Sequence, residues 1–367
     1  MRGRGFPSGR EEGEGAGGES RGMTQLIGDA RMGALRVTAV AVAAAGTLPY
    51  ITLKVTWLTG GRLGLNDSGL TSDAGFFGLN LLTLGMDAVA LLIALAFLRP
   101  WGRRIPAGLV LLPMWVGIGL LAPLPLLAPL TALAAVLEKG AVVPAGAPVA
   151  GWVYLVVYAG FICQGIGLAA GFLHHARHRW PAVFEARTSE GAAGAAGPAR
   201  ELQTFVAWGA VAVAAVLVVI DLGWALGAEY GLTAEMIAQR RFGARLQDGV
   251  NAALAAAAVT GLLTVVRRRS DRPLWIPVAL AWVGSGGMFG WSLWSMVVTL
   301  TPNPLNPGGG QGVTGLVGLF TLLTGAVVGL AGIFILVGRI SGDVRGGVRG
   351  GVQGDVRDGV RGDVRAR

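Results

Sequence analysis

The sequence predicts an all-α integral membrane protein of about eight transmembrane helices, built as two tandem parallel four-helix repeats. Three observations carry this expectation. Hydrophobic residues make up 53% of the chain and charged residues 14%, with mean hydropathy +0.60; a soluble domain of this length needs far more polar surface. The apolar residues fall in blocks of roughly 20, the length at which a helix crosses a bilayer. One pattern also recurs at an offset of 167 residues: Trp57, Gly60, Gly64 and Leu65 map onto Trp224, Gly227, Gly231 and Leu232. The same offset, without a gap, carries Trp115 onto Trp282. Glycine and leucine are common in this chain, but two tryptophan coincidences in one register point to a duplicated membrane unit.

Taken in order, residues 1–34 are rich in Gly, Glu and Arg, show no apolar period and are expected to be disordered. The first repeat, 35–180, holds apolar runs at about 36–58, 76–98, 105–122 and 152–173. Within it, Pro123, Pro125 and Pro129 interrupt the apolar sequence that continues to Leu137. Proline removes a backbone donor and crowds the preceding turn, so 126–138 reads as an interfacial or re-entrant segment. An Ala/Gly linker, 181–202, leads to the second repeat, 203–340, with runs at about 204–227, 249–266, 274–300 and 313–338. Between its first two runs, 233–248 mixes Glu235, Arg240, Arg241 and Arg245 with Met236, Ile237 and Phe242. That mixture predicts an amphipathic helix lying on the outer leaflet. From 341 to 367 the chain repeats Gly-Asp/Gly-Val-Arg, too glycine-dense for a stable helix. Such a basic tail can rest on anionic lipid headgroups, or can be a repeat expansion without a role.

Orientation follows from arginine. Arg31 and Arg36 precede the first run, Arg99, Arg103 and Arg104 separate the second from the third, and Arg177, Arg179 and Arg187 follow the fourth. Arg267, Arg268, Arg269 and Arg272 follow the sixth, whereas the opposite loops are poor in arginine except for 240–245. This crowding in alternate loops predicts that both termini are cytoplasmic. An even number of spans per repeat sets both copies the same way up, related by an axis along the membrane normal. The arginine-rich, lysine-poor, alanine-rich composition is that of a high-GC bacterial genome, and the expected location is the bacterial cell membrane.

Few residues carry chemistry. Lys54 and Asp221 occupy one position of the two copies, three residues before the paired tryptophans and inside the apolar runs. Intramembrane charge is expensive and is by default a candidate site. Lys54 can snorkel to the outer surface; Asp221, with its short stem, cannot. Opposite signs at equivalent positions predict a buried pair across the pseudo-twofold. Asp87, near the middle of the second span with Asn80 two turns outward, is a third candidate, either for cation handling or for helix–helix hydrogen bonding. His174 and His178 share a helical face and could hold a metal, but Arg177 and Arg179 beside them mark an ordinary basic flank. No metal or cofactor is expected. Trp57, Gly60, Gly64, Trp115, Trp224, Gly227, Gly231 and Trp282 serve as markers of the repeat and as anchors at the membrane interface.

Absences weigh against catalysis: no HExxH, P-loop, GxSxG or CxxC motif is present. No basic run is interleaved with aromatics, which disfavours nucleic acid as a partner; the expected partner is the bilayer. The Trp57-x-x-Gly60-Gly61 ending of the first span resembles uncharacterised multi-pass membrane proteins of high-GC, actinobacterial-type bacteria, in which a similar element follows a polar residue. The resemblance implies a four-span unit and brings no activity. Two function classes follow: a small-solute or ion transporter with its path between the repeats, or a non-catalytic membrane scaffold.

Overall fold

The computed structural model describes residues 12–137, 146–189, 198–267, 271–301 and 312–336, and almost all of them are helical. The helices are α1 (Glu12–Leu58), α2 (Ala74–Leu98), α3 (Ala107–Leu121), α4 (Leu124–Leu137), α5 (Gly151–Arg179) and α6 (Pro181–Glu185). They continue with α7 (Pro198–Ala225), α8 (Ala234–Gln239), α9 (Phe242–Arg267), α10 (Trp275–Leu300) and α11 (Gly312–Leu336). Among the described residues, eight segments are long and apolar enough to cross a membrane. The chain is a multi-pass membrane protein on that ground.

Side chains sort as the bilayer demands. Leu155, Phe205 and Leu226 are 72%, 76% and 79% exposed, which is tolerable only where lipid is the solvent. Inward-facing residues form separate apolar clusters. Val40 and Ala43 of α1, Phe97 of α2, Met114 of α3 and Leu168 of α5 make one. Ala214 of α7, Ala258 and Leu262 of α9, Met288 of α10 and Val328 of α11 make another. Small residues let the backbones close up: a methyl on Gly167 of α5 would stand 2.5 Å from the Ala39 carbonyl oxygen of α1.

Several expectations need correction. The third span does not stop at residue 122: α3 and α4 are parted only by Ala122 and Pro123, and together form one 31-residue span, Ala107–Leu137. Pro123 stands at a helix start, where the missing N–H has no partner to lose, and its carbonyl accepts from Leu126 and Leu127 at 3.1 and 2.9 Å. The segment therefore continues the third span. Residues 242–248, expected on the outer leaflet, are the first two turns of α9, so the separate helix α8 has only six residues. Thr233 caps it, its hydroxyl accepting from the Met236 N–H. Helix α1 is described from Glu12. Residues 1–11, 190–197 and the Gly/Val/Arg tail lie outside the described residues.

The start of the expected linker is ordered. Thr188 N–H donates to the Arg272 carbonyl and Leu274 N–H to the Ala186 carbonyl, both at 2.9 Å. Arg187 pairs with Asp271 at 2.7 Å. This strap ties the end of the first four spans to the α9–α10 turn.

Candidate functional site

Two turns of backbone close the C-terminal ends of α1 and α7. At α1, Gly61 N–H donates to the Thr56 carbonyl and Gly60 N–H to the Trp57 carbonyl, at 2.7 and 3.1 Å. At α7, Ala228 and Gly227 make the same bonds to Gly223 and Trp224, at 2.9 and 3.1 Å. This is the paired-bond ending that needs a left-handed residue just past the helix, and Gly60 and Gly227 supply it with φ of 85° and 99°. A second turn follows, with Gly64 and Gly231 at φ 72° and 71°. Across each loop the indole donates to a carbonyl six residues on, Trp57 to Leu63 at 2.8 Å and Trp224 to Tyr230 at 3.0 Å. Every bond recurs at the offset of 167. Trp57 and Trp224 are 7% and 4% exposed, so they hold the loops onto the helices and do not reach into the headgroups as anchors.

One full turn inward from Trp57 lies the most buried charge among the described residues. Lys54 is 0% exposed and Asp87 of α2 is 6% exposed. Lys54 Nζ meets Asp87 Oδ2 at 2.5 Å and lies 3.7 Å from the Tyr50 ring centroid. Gln164 of α5 donates to the other carboxylate oxygen, Oδ1, at 3.4 Å. Tyr50 in turn sits edge-on to Phe161, 5.2 Å between centroids. Three helices thus supply a cation, a carboxylate, an amide and an aromatic face at one point. On α2, Asn80, Thr83 and Asp87 are spaced three and four apart and form a polar stripe; Asn80 is itself buried. Inward of Asp87 the stripe ends at Ala94 and Phe97, which belong to the apolar cluster.

The expected Lys54–Asp221 pair is therefore replaced by Lys54–Asp87, and Lys54 does not snorkel outward. The reason is helical geometry. Side chains lean toward the N-terminus of their own helix, so the Lys54 stem, near the C-terminal end of α1, leans back toward the middle of the span, past Tyr50, to Asp87. Asp221 is buried at 4% exposure, and no described residue hydrogen-bonds its carboxyl group. The acid nearest it electrostatically is Asp248 of α9, which is ion-paired with Arg240. Sequence reasoning missed Gln164 and Asp248. For Gln164 the signal was there, a polar residue inside an apolar run; Asp248 was hidden among Arg245, Gln247 and Asn251.

Trp115 and Trp282 lie at helix junctions. Trp115 of α3 donates to Ser285 Oγ of α10 at 3.0 Å and stacks on Phe289 at 4.9 Å; Trp282 stacks on Phe172 of α5 at 6.1 Å. Beside them Gly119 and Gly286, again 167 apart, touch backbone to backbone, and a methyl on Gly119 would strike the Gly286 carbonyl group. The seam between the halves, expected to hold a path, is closed at this level. No protein-family model, curated protein or solved structure matches the chain. The site is therefore read from its own chemistry. His174 and His178 are neighbours, 4.6 Å between ring centroids, but no group of three or more potential metal ligands forms among the described residues.

Proposed function

We propose that this protein is a cation- or solute-transporting membrane protein of the bacterial cell membrane, with the Lys54–Asp87 pair as its coupling site. The observation that carries the reading is the complete burial of an ion pair inside a bundle that could have been packed with Leu or Met. Desolvating two charges is costly, and a well-packed apolar pair is often the more stable choice; ionisable residues retained at this depth belong by default to ion and proton pathways. The stripe Asn80–Thr83–Asp87 supports an approach from the outer side, with the apolar cluster below acting as the closed gate. The path then runs within the first bundle and not along the seam. Proton or cation arrival at Asp87 would release Lys54, and return of Lys54 would expel the cation.

We further infer that the halves derive from one duplicated four-span unit, set parallel about an axis along the membrane normal. The matched loop bonds support this, as does the contact of Gly119 with its counterpart Gly286. A residue that touches its own equivalent marks a twofold axis in a self-complementary interface. Asp221 would then be the relic of the Lys54 position in a half that has taken a supporting role.

The test is ion flux in proteoliposomes. Purified protein in vesicles loaded with a pH-sensitive dye should dissipate an imposed proton or sodium gradient faster than empty vesicles. Asp87→Asn should abolish the excess flux, and Asp221→Asn should leave it in place. Wild-type vesicles as tight as empty ones to protons and alkali cations would favour the scaffold reading, to which the closed glycine seam already lends support.

A further inference from the structure

All three histidines of the chain line one cavity of about 240 Å³ at the arginine-rich end of the first bundle, far from the ion pair. Its floor is apolar and buried, formed by Ala96 and Phe97 at the end of α2. Its walls and rim are cationic or hydrogen-bond donors: Arg36 of α1, Arg99 beyond α2, and His174 and His178 of α5. No carboxylate is among the described residues that line it. Arg36 adds a second observation: its Nε is buried and has no hydrogen-bond partner among the described residues. Two guanidinium groups converging with no carboxylate among the described lining residues focus positive potential into the cavity. A donor-rich, acid-free lining of this kind is complementary to a phosphate group, whose oxygens accept the forked guanidinium bonds that a point charge cannot make.

We propose that this cavity binds a phosphate-bearing anion, supplied either by an anionic lipid headgroup or by soluble phosphate. The proposal is independent of the transport reading. Position suits the lipid source: the cavity lies where spans end and arginines begin, the level of the headgroups. Its volume suits either source, being too small for a drug-sized solute. Bound there, the anion would clamp the ends of α1, α2 and α5 together.

Calorimetric titration of the purified full chain in neutral detergent decides the matter. The probes are short-chain phosphatidylglycerol, short-chain phosphatidylcholine and inorganic phosphate, all at constant ionic strength. The expected result is saturable one-to-one binding of phosphatidylglycerol, of inorganic phosphate or of both, with phosphatidylcholine inert. Tighter phosphatidylglycerol binding assigns the lipid source, and equal or tighter phosphate binding the soluble one. Arg36→Gln and Arg99→Gln should each weaken binding by about tenfold or more, the equivalent of one charge-assisted hydrogen bond. Arg267→Gln, at the end of α9, should have no effect. Should Arg36→Gln fail to fold, Arg99 on the exposed rim gives the same reading. The proposal is overturned if neither anion binds, if phosphatidylcholine binds equally, or if the arginine variants bind like wild type.

Discussion

At the scale of single residues, Lys54 and Asp87 make a closed account of each other's charge. Removing one leaves the other buried and alone, at a cost of about 3–5 kcal/mol. Lys54→Met and Asp87→Leu should therefore each lower the melting temperature in detergent, and the double variant should regain most of the loss. Strictly additive losses in this cycle would mean the side chains do not interact. Asp221→Asn, which removes a buried charge without breaking a described bond, should be neutral or stabilising in the same assay. The depth of all three charges was legible in the sequence, because each interrupts an apolar run. Their pairing was not. A shared offset fixes equal depth, whereas contact depends on which way a stem leans and on which helices adjoin, and neither is a property of the repeat.

Individual elements show where local chemistry spoke clearly. Trp57 and Gly60, singled out by recurrence alone, turn out to be the indole lock and the left-handed residue of a helix ending. Gly60 has open space where a methyl would go, but its φ of 85° is a conformation other residues resist. Gly60→Ala should thus cost about 1–2 kcal/mol through backbone strain alone, read as a lowered denaturation midpoint; Gly60→Asn should cost less, since Asn tolerates that conformation. Equal losses for the two variants would place the effect elsewhere. The prolines of the third span misled for a related reason. Pro123 opens a new helix, which sequence does not distinguish from a proline that ends one, and Pro129 is accommodated inside α4.

For the molecule as a whole, eight spans were legible from length and hydropathy, because those two quantities are what the bilayer selects. The arginine pattern adds a direction. Alkaline-phosphatase fusions after Leu65 and Leu232 should be active and one after Gly102 inactive, as both termini in the cytoplasm require. Activity at Gly102 would invert the arrangement and put the histidine-lined cavity outside the cell. The packing of the halves was only faintly legible: the spacing of Gly286 and Gly290 marks a close helix approach and both lie against α3, but small residues are too frequent here for a spacing to name its partner.

The meeting of Gly119 with Gly286 bears on how tightly the halves must hold one another. Backbones that meet at a crossing leave no gap between the helices, and beside them Trp115 bonds Ser285 and stacks on Phe289, so the contact there is close and specific. Covalent continuity changes the requirement. Two modules carried on one chain with a short connection meet at an effective concentration in the millimolar range, so a dissociation constant of about that order is enough to keep them joined. Affinity is then supplied in part by tethering, and the seam need not carry the whole burden of holding the halves together.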